Sequence, residues 1–216
     1  MAQPQTNVSR LTMALGVIFV VLAGYAIQAM AECRKEAATQ CQEMKLARID
    51  WHGANLDGSN FQNADLEHAN LAGASLKGAD LRGAKLQGAR LEGSDLSGAN
   101  LDGADLRWVN LENSILVKTR FANAQMAKSD LENADLSQAV LAGADLTRAD
   151  LVSADLQKAD LQGVKLDGAY MNYANLKEAN LTGASVERTR FVGARLKEAK
   201  WIDGTICKPP SIGSCK

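Results

Sequence analysis

The stretch ANLAGASLKGADLRGAKL, residues 69–86, returns to leucine at every fifth position, at 71, 76, 81 and 86. A step of five residues turns an α-helix by about 140°, so these leucines would scatter around a helix. Five is an odd step along a β-strand, so successive leucines would point to opposite faces. The pattern therefore indicates a chain that turns as it advances and places one leucine on each side of a coil.

The same register continues through most of the chain. All 32 positions spaced by five from 51 to 206 are apolar, and 23 of them are leucine. Two residues before each of them, from 54 to 204, alanine fills 22 of 31 positions. Two residues after, glycine occurs 14 times between Gly53 and Gly193. We interpret the first two columns as large and small inward side chains, and the glycine column as a turn position with positive φ.

Four such turns close a square coil of about 20 residues, and stacked coils bury a continuous core. The segment ADLTRADLVSADLQKADL, residues 144–161, resembles the A(D/N)LXX consensus of the pentapeptide repeat family. The resemblance covers roughly residues 46–206 and implies an all-β fold, a right-handed quadrilateral parallel β-helix of about eight coils. At the usual strand spacing of about 4.8 Å, the β-helix would be about 40 Å long.

The N-terminus has the features of a secretory signal peptide. Arg10 precedes an uncharged segment at 11–27, and the small residues of Ala29-Met30-Ala31 form a cleavage site. We therefore expect residues 1–31 to be a signal peptide cleaved after Ala31, and the protein to be periplasmic or secreted. The alternative is an uncleaved inner-membrane anchor, although 17 residues are barely enough to span a bilayer.

The remaining chain divides into an N-terminal cap at 32–48, a repeat β-helix at 49–206 and a C-terminal cap loop at 207–216. Four cysteines lie outside the repeat, and export would explain them as disulfides: Cys33, Cys41, Cys207 and Cys215. We expect two local bonds, because a 40 Å rod separates the two ends. The N-terminal connectivity stays open, since a straight helix would hold its two cysteines about 12 Å apart. The C-terminal segment also resembles closures of exported family members.

The sequence favours a non-enzymatic protein. A square rod without insertions offers no cleft in which polar groups could converge. The glycines follow the repeat period and form no phosphate loop. We therefore expect no catalytic residue, no metal site and no cofactor.

Two surface features mark a candidate interaction surface. Residues 129–161 contain seven acidic and two basic side chains, a net charge of −5, whereas residues 185–201 have five basic and two acidic, a net charge of +3. Residues 106–121 place apolar side chains at outward positions. The candidate residues are Trp108, Ile115, Val117, Asp130, Asp135, Asp150 and Asp155. The alternatives are that aspartate only supports its own turn, and that Trp108 only contacts Lys128, one coil away, by a cation–π interaction.

These observations predict a periplasmic structural or protein-interaction scaffold with an unidentified protein partner. A formal net charge of −1 provides no field for a nucleic-acid partner. A membrane is a partner only if the N-terminal segment stays uncleaved. The alternative comes from the quinolone-resistance members of the family, which imply a DNA mimic that binds gyrase. The predicted signal peptide and the near-neutral charge disfavour that alternative.

Overall fold

Each five-residue unit of the chain makes one tight turn and one contact with the coils beside it. In the unit around Leu71, the amide of Ala74 donates to the Leu71 carbonyl oxygen at 3.0 Å, and Gly73 between them has φ of 63°. A hydrogen bond across four residues, with positive φ at the third, is typical of a type II turn. The repeat therefore turns the chain by one corner every five residues.

Adjacent coils are joined by main-chain hydrogen bonds between residues about 20 apart. The amide of Leu71 donates to the Arg90 carbonyl oxygen at 2.8 Å, and the amide of Ser75 donates to the Ala54 carbonyl oxygen at 2.9 Å. Parallel bridges of one residue each recur at every fifth position, from Gln40↔Asn60 to Asn180↔Lys200. Because the amides are used in this way, the absence of proline from residues 33–208 has a structural reason.

The computed structural model describes residues 33–215, and these form a right-handed, four-sided parallel β-helix, as expected. The chain divides into two units, Met1–Arg34 and Lys35–Lys216, and the β-helix belongs to the second. The expected signal peptide or anchor at 1–31 lies outside the described residues. None of the residues that the structure describes forms a helix able to span a membrane.

Residues 20 apart lie on the same side of the β-helix. We call the sides 1 to 4 after the inward residues of one coil: Leu131 lies on side 1, Leu136 on side 2, Leu141 on side 3 and Leu146 on side 4. All four side chains are fully buried, as are nearly all members of the leucine and alanine columns. Sides 2 and 4 are opposite one another, as are sides 1 and 3.

Aromatic pairs fill the core near both ends of the rod. The rings of Trp51 and Phe61 lie 5.9 Å apart between their centroids, and those of Phe191 and Trp201 lie 5.5 Å apart. These large side chains fill the ends of the core, where there is no adjacent coil whose leucines could pack against it.

The β-helix begins earlier than the predicted boundary at residue 49. Its first bridge joins Gln40 to Asn60, and Cys41 and Leu46 are buried in the inward column. The reason is that both residues keep the spacing of five that leads to Trp51. The N-terminal cap segment forms turns instead of a helix, and Cys33 and Cys41 are disulfide-bonded. The separation of about 12 Å that a straight helix would impose on these two cysteines therefore does not apply.

The C-terminal end is closed by a reversal of the chain. The last segment pairs antiparallel with the final coil through Lys200↔Ile206 and Arg195↔Ile212. The prediction that Ile206 points inward is wrong, because its side chain is 55% exposed and Cys207 is fully buried instead. The reversal after Gly204 ends the register of five. A disulfide joins Cys207 to Cys215, as predicted.

Candidate functional site

The four candidate aspartates lie in two stacked pairs. Asp130 bridges to Asp150 on side 1, and Asp135 bridges to Asp155 on side 2. Each uses its Oδ1 atom to accept the amide two residues ahead, at distances from 2.9 to 3.1 Å. The predicted coil of about 20 residues thus places the aspartates of each pair side by side, and one oxygen of each carboxylate supports its own turn.

Trp108 stands on side 4 and is 48% exposed. Lys128, one coil further, places its Nζ atom 5.3 Å from the centre of the indole ring, and Arg107 places its Cζ atom 5.6 Å from it. The predicted contact with Lys128 is confirmed. The indole therefore already has two cationic neighbours within the chain.

The aliphatic candidates lie on the opposite side of the rod from Trp108. Ile115 is 43% exposed and Val117 is half-buried, both on side 2. Ile115 bridges directly to Asp135, which in turn bridges to Asp155. The structure thus brings four of the seven candidates together on side 2 and leaves Trp108 on side 4 and the other aspartate pair on side 1.

Ion pairs with arginine lower the pKa values of two aspartates, Asp105 and Asp80. Arg107 donates to both oxygens of Asp105, at 2.8 and 2.6 Å, and holds the pKa of that carboxyl below its usual range, against the raising effect of partial burial. Arg82 acts in the same way on Asp80, whose pKa is also lowered. These pairs are partly exposed, so they add little to stability.

A cavity of about 430 Å³ was missed by the sequence analysis. It lies where side 4 meets side 1 near the C-terminal end, around Arg148, Gly168 and Arg188, with Tyr170 and Arg190 beside them. A comparison of residues 20 apart in the sequence could have predicted it, because Arg148 and Arg188 then flank Gly168 in one column. Among residues 33–215, no group of three histidine, cysteine or acidic side chains is placed to hold a metal ion.

Comparisons with known proteins agree with the geometry. The family model for pentapeptide repeats matches in eight copies, over residues 37–73, 74–113, 104–141, 129–168 and 159–197. No curated protein sequence matches the chain.

Solved structures of similar proteins share the repeat architecture. HetL from the cyanobacterium Nostoc sp. Strain PCC 7120, a pentapeptide repeat protein involved in heterocyst differentiation regulation, is 29% identical over 85% of this chain and 98% of its own, with a TM-score of 0.45. Trypsin-treated QnrB1, a plasmid-mediated fluoroquinolone resistance protein, is 18% identical over 81% of this chain and 86% of its own, with a TM-score of 0.51. At that identity the likeness to QnrB1 shows the fold alone.

Proposed function

Since the chain belongs to the pentapeptide repeat family, we propose that it is an exported, non-enzymatic scaffold that binds another protein in a bacterial periplasm. The observation that carries the proposal is the state of the cysteines: all four are disulfide-bonded, near the two ends of the β-helix. Disulfides persist in oxidising compartments and are rare in the cytosol. The predicted signal peptide at 1–31 supplies the route of export.

The β-helix supports a scaffold because its sides are ladders of outward side chains held by a rigid main chain. The main chain of each five-residue unit is hydrogen-bonded to the coils on either side, which fixes the outward positions. A partner would therefore meet a preformed surface and would not have to order it, which lowers the entropic cost of binding.

The docking surface that we propose is side 2, around Ile115 and Val117. The exposed Ile115 and the half-buried Val117 lie beside the stacked carboxylates of Asp135 and Asp155. The Oδ2 atoms of both aspartates accept no hydrogen bond from the described residues, so they are open to a cation of the partner. The surface fits a partner that presents an apolar contact beside basic side chains.

Export is tested by fractionating native cells and measuring the mass of the purified protein. We expect the protein in the periplasmic fraction, with its N-terminus at Glu32 and without free thiols. An intact N-terminus in the membrane fraction would show that the N-terminal segment is not cleaved and anchors the protein. Full-length protein with reduced cysteines in the cytoplasm would contradict export.

Docking is tested by crosslinking to periplasmic proteins and comparing two variants. Ile115→Asn should abolish the crosslinked species, and raising the salt concentration should weaken it, because opposite charges contribute. Val140→Asn is the matched control, since Val140 is also an outward aliphatic residue but lies on side 3. Equal capture by the wild type and both variants would exclude side 2 as the docking surface.

A further inference from the structure

The cavity between sides 4 and 1 exists because one column lacks a side chain. Arg148, Gly168 and Arg188 follow each other at a spacing of 20 and therefore lie in successive coils, so the two arginines are about 10 Å apart along the rod. A Cβ atom on Gly168 would lie 3.4 Å from the Cγ atom of Arg148. In coils nearer the N-terminus, Trp108 and Lys128 fill the same column.

The arginines of this cavity lack the partners that other arginines of the chain have. All four arginines between residues 82 and 120 form an ion pair with a carboxylate: Arg82, Arg90, Arg107 and Arg120. Among the described residues, Arg148, Arg188 and Arg190 form none. Their positive charge is therefore available to a ligand.

The two carboxylates that line the cavity offset only part of this charge. One oxygen of Asp167 is already hydrogen-bonded within the chain, since its Oδ1 atom accepts the Ser185 hydroxyl at 2.6 Å and the Glu187 amide at 2.8 Å. Asp167 and Glu187 together oppose three arginines, so the lining keeps a net charge of +1. An anion would therefore meet a positively charged site.

An aromatic wall adjoins the positive charges. The guanidinium of Arg190 lies over the ring of Tyr170, with its Cζ atom 4.9 Å from the ring centre. This contact restrains the Arg190 head group beside the cavity, while the ring, 37% exposed, remains partly open to solvent. The ring provides an apolar surface for an organic group next to the anion.

We propose that this cavity binds the phosphate group of a small phosphate monoester. Arginine forks match phosphate oxygens in pairs, and three guanidinium groups offer more donors than the two oxygens of a carboxylate accept. A volume of about 430 Å³ suits a small organic ligand. The site is separate from side 2, so it does not depend on the proposed protein scaffold.

The proposal is tested with the purified full chain by isothermal titration calorimetry at constant ionic strength. Phenyl phosphate should bind saturably with one site per chain, more tightly than inorganic phosphate, and benzoate should bind more weakly than both. Arg188→Gln should weaken phenyl phosphate binding by about tenfold or more, since it removes a charge-assisted hydrogen-bonding group. Arg195→Gln is the control, because Arg195 is also without an ion pair among the described residues but does not line the cavity.

A second variant fills the hollow without changing charge. Asparagine already occupies this turn position with positive φ at Asn113 and Asn133, so Gly168→Asn should keep the fold. It should weaken phenyl phosphate binding by about tenfold or more, since its side chain occupies the ligand space. Gly163→Asn, at a glycine with open space around it on another side, should bind like the wild type.

The outcomes distinguish the possible sources of the phosphate group. Saturable binding of phenyl phosphate that Gly168→Asn abolishes supports a soluble monoester. Co-sedimentation with phosphatidic acid vesicles, lost in Arg188→Gln and without phenyl phosphate binding, would overturn the soluble ligand in favour of a lipid headgroup. Absence of saturable binding to either probe, or binding unchanged in both cavity variants, would overturn the site.

Discussion

The main-chain amide of Cys207 donates to the carbonyl oxygen of Ala199 at 2.9 Å, and Cys207 thereby lies against the final coil of the β-helix. The Cys207 carbonyl oxygen accepts the amide of Glu198, also at 2.9 Å. Ser211 and Gly213 extend this contact, to Leu196 and Ala194 respectively. The disulfide to Cys215 therefore closes a loop that satisfies main-chain groups which a further coil would otherwise satisfy.

Removing this disulfide should loosen only the C-terminal end. In a Cys207→Ser, Cys215→Ser variant, amide protection should fall around 191–206 and persist around 71–106, because each coil is stabilised mainly by its neighbours. Hydrogen exchange measures both regions at once. Cys33→Ser, Cys41→Ser is the matched control and should affect the first coil instead. Unchanged exchange at 191–206 in the C-terminal variant would show that the disulfide does not hold the closure.

A charge in the inward column should damage several coils. Leu136 is fully buried at the middle of the stack, and Leu136→Asp buries an unpaired carboxylate at a cost of several kcal/mol, roughly 3 or more. Leu136→Met, which nearly conserves volume, should cost less than about 1.5 kcal/mol. Urea denaturation followed by circular dichroism compares the two variants. Equal stabilities would contradict the packing of this column.

Two buried serines of the alanine column should respond differently to alanine. The Ser114 hydroxyl donates to the Leu111 carbonyl oxygen at 2.6 Å, whereas the Ser129 hydroxyl has no hydrogen-bond partner within residues 33–215. Ser129→Ala should therefore raise the free energy of unfolding by about 1 kcal/mol, and Ser114→Ala should lower it by about 0.5–1 kcal/mol. Chemical denaturation measures both values. Destabilisation by Ser129→Ala would reveal a partner for its hydroxyl, such as a buried water.

Positive φ should determine the effect of substitutions at the turn. Gly103 has φ of 68°, and a Cβ atom there would meet no atom within 4 Å, so any cost is conformational. Gly103→Ala should lower the melting temperature, through a loss of about 1–2 kcal/mol, and Gly103→Asn should lower it less. In the opposite direction, Lys118→Gly should raise the melting temperature, since Lys118 has φ of 58°, which glycine adopts more easily. Equal melting temperatures for the alanine and asparagine variants would contradict this account.

The lowered pKa of Asp105 should depend on Arg107. Because the pKa is lower in the folded than in the unfolded state, the pair stabilises the fold above the unfolded value of about 3.9. That contribution is lost as the pH falls through the folded pKa. Carbon-detected NMR titration of the Asp105 carboxyl should show its pKa rising in Arg107→Gln. The same pKa in wild type and variant would mean that Arg107 does not set it.

Much of the fold could be predicted because its rule is local and periodic. The spacing of five identified the inward columns, such as Leu136 and Ala139, and the spacing of 20 placed Asp130 beside Asp150. The turn position with positive φ could be predicted from the sequence only in part. Glycine marked it, but Trp108, Lys118 and Tyr173 hold the same positive φ because hydrogen bonds between coils impose it whatever the side chain.

The candidate site was less predictable, because it depends on which side chains meet across coils. The register of five already separates Trp108 from Ile115, and the structure places them on opposite sides of the rod, so the two residues share no surface. The cavity at Gly168 arises from a missing side chain between two arginines, and the sequence indicates it only when residues 20 apart are compared.

The coil, its period and its inward columns follow from the amino-acid pattern alone, since a repeated local turn needs no information from distant residues. The closure of the C-terminal end and the positions of unpaired charges depend on contacts between residues far apart in the chain. A reversal after Gly204 exchanges Ile206 for Cys207 at the buried position, and a one-dimensional period does not record the direction of the chain. Likewise, Arg107 forms an ion pair with Asp105, whereas Arg148 forms none with any residue that the structure describes, because ion pairing depends on side-chain reach in three dimensions.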